Sequence, residues 1–236
     1  MNVLENLRKE LKRNTNKEKA VNYRKYFKNS KDDLFLGISV PIIRKIAKEF
    51  YHLKKQDILV LMKSRVHDER SIANVILCNQ FKKSDEERRA KIFNFYIKNR
   101  KYIRDWDSVD DSAPYIVGPY LIDRDKKLLY QLAESNRIWD RRIAIVSTLY
   151  FIRQGHLTDT LRLAKLLLDD QEDLIHKAVG WMLREVGKKD ILLLKKFINK
   201  YHKKMPRTML RYAIERFPSD ERKSYLIKQR GKNHES

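Results

Sequence analysis

LIHKAVGWMLREVGKK, residues 174–189, reads as a helix with two faces. At about 100° per residue, Ile175, Ala178, Val179, Met182 and Val186 share an arc of roughly 80°, an apolar stripe for a core. Lys177, Trp181, Arg184 and Lys188 fall within about 60° of one another on nearly the opposite side. Trp181 therefore stands outside the main core stripe, among three cations, and Gly180 removes bulk beside it. Two readings of that face stay open. The cations hold phosphates while the ring meets a base or sugar, or Trp181 packs on the next helical pair with the cations snorkelling around it.

The same period extends in both directions. Helices are expected at 2–13, 17–29, 41–52, 55–64, 68–82, 85–99, 114–122, 124–135, 139–154, 157–168, 171–187, 189–202, 206–216 and 219–228. No segment alternates cleanly over strand length, and six glycines and five prolines are too few for the turns of an all-β chain. Ser84 followed by Glu87 has the form of a capping box. Pro41, Pro114 and Pro206 sit where first turns begin. The fold class is all-α. Short helices in pairs, repeating at about 30 to 45 residues, suggest a solenoid of HEAT-like antiparallel repeats. No strict sequence repeat enforces it, and an irregular all-α domain is the alternative. One domain over 1–228 is expected, with a frayed tail at 229–236.

Lysine and arginine number 53 against 31 acidic residues in 236, a formal net charge of +22. Such an imbalance costs self-repulsion, and a polyanionic partner is the usual reason to carry it, nucleic acid ahead of a membrane surface. Cys78 is the only cysteine, which excludes an internal disulfide and suits a reducing compartment. The N-terminus lacks the apolar core of a signal peptide, and no apolar run approaches the roughly 20 residues of a membrane span. A soluble, cytoplasmic protein is expected. There is no Walker loop, no GxGxxG and no HExxH, so neither a metal nor another cofactor is expected.

Two further passages stand out. In RIWDRRIAIVSTLYFIRQG, 137–155, the helix is apolar nearly all round from Ile143 to Ile152 and should be buried between neighbours. Arg142 opens it on the face of Val146, Leu149 and Arg153. A buried guanidinium needs a partner: either a carboxylate such as Asp140 or a neighbouring helix, or a phosphate at a groove edge. In DWDSVDDSAP, 105–114, four aspartates crowd around Trp106 in a cationic protein. Asp111 or Ser112 could cap the helix starting near Pro114, which accounts for one acid at most. Trp106 and Asp110, spaced i, i+4, share a face if the turn is helical. A carboxylate beside an aromatic ring suits cleavage of an N-glycosidic bond, whose transition state is oxocarbenium-like.

WDSVD with APYIVGPYL, then WDRRIAIV, then HKAVGWMLRE, together resemble the AlkD-like family of bacterial DNA alkylation repair glycosylases. KYFKN followed by LFLGISVP is similar to that family's first conserved region. The matches run in order from about residue 20 to 190. The resemblance implies a HEAT-like solenoid with duplex DNA in a basic concave cleft, and excision of N3- and N7-alkylated purines such as 3-methyladenine and 7-methylguanine. It implies that the damaged base is not flipped into a pocket. Carried over, the residues holding the lesion's deoxyribose are Trp106, Asp110 and Trp181. Arg142 and Tyr26 are similar to backbone-holding positions, and Arg184 resembles a phosphate contact. Lys177 and Lys188 join them as DNA-binding cations flanking Trp181.

A monofunctional, monomeric enzyme without lyase activity follows, associated with the nucleoid. A non-catalytic HEAT-like DNA-binding module and a helical protein scaffold are the alternatives. Two departures bear on the first region: SKDD, 30–33, adds acids there, and Ser39 and Val40 stand in GISVP.

Overall fold

In the computed structural model, which describes residues 2–27 and 32–230, every regular element is a helix. The chain forms two compact units, Met1–Tyr120 and Leu121–Ser236.

The first unit holds α1 (Val3–Arg13), α2 (Lys17–Arg24), α3 (Val40–Glu49), α4 (Lys55–Met62), α5 (His67–Lys83) and α6 (Glu86–Asn99). A 3-10 turn at Arg100–Tyr102 leads to the short α7 (Trp106–Asp110), and α8 (Ala113–Leu121) follows. α5 is the centre: α1, α3, α4, α6 and α7 all pack on it. Its Ile72, Ala73, Ile76 and Leu77 are fully buried, as are Ile58 and Leu61 of α4. Each fully buried Leu or Ile contributes about 1.5–3 kcal/mol, which is how helices of eight to ten residues hold together.

The segment between α2 and α3 is pinned to the head of α5. Leu34 donates its N–H to Arg65 O and accepts from His67 N, at 3.0 and 2.8 Å. Gly37, at φ +74°, lies where a Cβ would come within 2.2 Å of Asn16 O, so only glycine lets the chain pass.

The second unit holds α9 (Lys127–Ala133), α10 (Ile138–Arg153), α11 (Thr158–Leu166), α12 (Asp173–Lys189), α13 (Ile191–Tyr201), α14 (Arg207–Ala213) and α15 (Ser219–Arg230). α10 is buried between α9, α11 and α12, as its all-round apolar sequence requires. Its Ser147 and Thr148 satisfy their hydroxyls on the carbonyls of Ile143 and Ile145. α12 packs on α10, α11, α13 and α14. The expected stripe of Ile175, Ala178, Val179, Met182 and Val186 is buried.

Every expected helix has a counterpart, and α7 is the one that the periodic reading did not list. α2 stops at Arg24; of its expected end, Lys28 and Asn29 lie outside the described residues. The expected tail lies outside them from 231 onward, and α15 runs through 229 and 230.

The capping box needs correcting. Asp85, not Ser84, caps α6, accepting from Arg88 N at 2.9 Å. Ser84 ends α5 and donates its hydroxyl to Gln80 O. Gly180 also serves another purpose than the one expected. A Cβ there would stand 2.5 Å from Tyr212 Cβ and 2.6 Å from Met209 O, so the missing bulk admits α14 against α12.

Candidate active site

The head of α5 reads His67-Asp68-Glu69-Arg70, and all four are buried. Buried charge is tolerable only when it is paired, and each has its own partner. Asp68 accepts from Leu36 N and Ile38 N at 2.7 and 2.9 Å, fixing the segment around Gly37. Glu69 takes a two-pronged bond from Arg8 of α1. Arg70, 1% exposed, bonds Asp105 at 2.8 Å, Asp33 at 2.6 Å and Ser64 O at 2.9 Å. Asp33 in turn binds Arg104 at 2.9 Å. His67 Nε2 lies 2.9 Å from Asp107 Oδ2, an ion-pair contact without the alignment of a hydrogen bond. Burial opposes protonation of His67, but the Asp107 and Asp105 carboxylates outweigh it, so its pKa is raised.

These contacts assign the aspartates around Trp106. Asp105 neutralises Arg70, and Asp107 faces His67. Asp111 is half-buried, 3.9 Å from Arg44. Burial and the neighbouring Asp107 push its carboxyl up to about 6. The N-cap of α7 is not made by an aspartate side chain. Asp105, at the N-cap of α7, makes no side-chain cap bond. Asp111 closes α7 through its backbone N–H. Ser112 turns its hydroxyl to Ser108 O and Tyr96. Asp110 ends α7, half-buried, one helical turn beyond Trp106. The turn is helical, so the two share a face.

Trp106 is half-buried and its plane is fixed. It stacks on Phe27 with centroids 5.3 Å apart and planes 11° from parallel. Its indole N–H donates to Tyr26 O at 3.4 Å. Phe27 and Phe35 both lie against the His67 ring, at 4.6 and 4.8 Å. The Tyr26 side chain is exposed.

In the second unit Trp181 is half-buried and off the α12 core stripe. The three cations around it already hold carboxylates. Lys177 pairs with Asp173 at 2.8 Å, and Lys188 with Glu185 at 2.6 Å. Arg184 pairs with Glu215 and lies near Glu185. Arg142 is 5% exposed and donates to Leu174 O of α12. Asp140 accepts from Arg137 at 2.9 Å, and Arg141 binds Asp170 at 2.6 Å.

Potential ligand atoms of His67, Asp105 and Asp107 lie within 4.8 Å of one another. Within the fold Arg70 pairs with Asp105, and His67 lies on Asp107.

A family model described as DNA alkylation repair enzyme matches residues 7–217. The chain belongs to that family. A solved structure described as "Predicted DNA alkylation repair enzyme from Enterococcus faecalis" superimposes with a TM-score of 0.68 at 16% identity. That alignment covers 87% of this chain and 97% of the other. No curated protein matches.

The family match spans Tyr26, Trp106, Asp110, Arg142, Lys177, Trp181, Arg184 and Lys188. Of the SKDD departure, Ser30 and Lys31 lie outside the described residues. Asp33 adds no free surface charge: it is buried and bound to Arg70 and Arg104. The sequence reading missed His67, Arg70 and Phe27. Helical period carries no signal for them, because their partners lie as far as 30 to 61 residues away. Among the described residues no helix is long and apolar enough to cross a membrane.

Proposed function

We propose that this DNA alkylation repair enzyme is a monofunctional glycosylase that hydrolyses the N-glycosidic bond of N3- and N7-alkylated purines in duplex DNA. One observation carries the assignment. Trp106 and Asp110 lie one turn apart on a five-residue helix that a buried ion network braces.

Alkylation at N3 or N7 puts positive charge on the purine and makes it a good leaving group, so no strong general acid is required. The need is to stabilise the sugar cation and to present water. Asp110 supplies the negative field and orients the water. Trp106 offers an electron-rich face to the sugar, and Trp181 is assigned the same role. Tyr26, Arg142, Lys177, Arg184 and Lys188 hold the phosphodiester backbone. For the last three, a phosphate must displace the carboxylates of Asp173, Glu215 and Glu185. Arg142 is the most restricted of the five, being nearly buried. The lesion stays in the helix rather than flipping, and the protein acts as a monomer. A HEAT-like solenoid with a basic concave cleft belongs to the same proposal, supported by helix-on-helix pairing within each unit and the net charge of +22.

The test is release of free base from duplexes carrying a single 7-methylguanine, a 3-methyladenine or a bulky N7 adduct, against a no-enzyme control. Release above control from at least one is expected. Tight, salt-sensitive DNA binding with no release from any of them would make the protein a binding module instead.

A further inference from the structure

Deepening the glycosylase assignment and resting on it, we infer that protonated His67 is a positioning residue, holding Trp106 and α7 in place through Asp107 and through the Phe27 ring. α7 has five residues, too few to stand as a helix by itself. Its placement depends on external anchors: Asp105 on Arg70, Asp107 on His67, and Ser112, which follows it, on Tyr96. Trp106 is held from a second side by Tyr26 and Phe27. Both holds lead to His67. Its Nε2 reaches Asp107, the residue after Trp106 and three before Asp110, at 2.9 Å. Its ring lies 4.6 Å from Phe27, which stacks on the indole. The side chain is 9% exposed, so solvent does little to replace these contacts.

Among the anchors, only His67 has an ordinary pKa that puts its charge change near neutrality. Asp107 and Asp105 face it and favour the imidazolium, and Arg70, on its own helix, opposes it. Phe35 stacks on the His67 ring at 4.8 Å, and Phe27 lies tilted against it at 4.6 Å. Asp111 is itself pushed up to about 6, by burial and by the same Asp107 carboxylate. The charge balance raises the folded His67 pKa. The contact is therefore complete below the ordinary histidine range and is lost as pH rises through the raised folded value.

Two readouts test the proposal and separate it from the glycosylase assignment. The first uses no DNA. With Trp139→Phe and Trp181→Phe, Trp106 is the only indole, and its emission is followed from about pH 5 to about pH 9, spanning the histidine range. A midpoint above the ordinary histidine value is expected, absent in His67→Gln and lowered in Asp107→Asn. The second is single-turnover base release with the full chain. His67→Gln should slow release by about tenfold or more, keep DNA affinity within about twofold, and flatten the alkaline limb of the pH profile. If His67→Gln does not fold, the wild-type and Asp107→Asn titrations still decide the matter. A Trp106 emission without a midpoint, or with one that neither substitution moves, overturns the proposal. A normal emission titration in a protein that releases no base overturns the glycosylase assignment while leaving the anchoring of Trp106 intact.

Discussion

Asp111 shows at the scale of one residue how the cluster around Trp106 costs stability. Its carboxyl, about 3.8 in an unfolded chain, is pushed up to about 6 by burial and by Asp107. Between those values the folded chain keeps a proton that the unfolded chain has released, so stability falls as pH rises through that window, and the penalty stands in full above it. Asp111→Asn should therefore melt higher than wild type at pH 7, with the difference shrinking toward pH 4. Thermal melts of both proteins across that range check it. A difference that does not vary with pH would contradict the assignment. Arg70 is the opposite case: two aspartates and a carbonyl compensate its buried charge. Such a network specifies one arrangement at little net gain in stability. Sequence reasoning singled out Trp106 and Asp110 from their spacing and the oddity of acid in a basic chain. It had no signal for which aspartates were structural, because their partners, Arg70 and His67, sit on another helix.

At the scale of elements, periodicity did best where one face is buried. The stripe on α12 and the all-round burial of α10 follow from their apolar positions. It did worst at α7, whose five residues span barely more than one turn and carry two acids. That helix exists because α5 anchors it, which is a tertiary cause. Gly180 marks a second limit. A glycine removes bulk beside Trp181, and the space is taken by Met209 and Tyr212 of α14. Gly180→Ala must separate α12 from α14 and should cost about 1–3 kcal/mol. Urea denaturation followed by far-UV circular dichroism measures this, and a variant as stable as wild type would refute the close packing.

For the molecule as a whole, a net charge of +22 points to a polyanion, but the cations around Trp181 are not waiting for one. Glu185 alone engages Lys188 and lies near Arg184. Arg184 stays paired with Glu215, so Glu185→Gln should free Lys188, tightening DNA binding at low salt and steepening its salt dependence by about one phosphate contact. Fluorescence anisotropy over a salt series measures the slope, and an unchanged slope would remove Lys188 from the DNA-binding set. The all-α class was legible in the sequence from low glycine and proline content and helical period. The division into compact units at Tyr120 was not, since no change in composition marks it. The central claim is that Asp110 carries the chemistry. Its most direct test is single-turnover release of 7-methylguanine from duplex DNA by Asp110→Asn, with binding to the same duplex measured in parallel. A fall of about a hundredfold or more with affinity retained is the expected result. Release at the wild-type rate would contradict it.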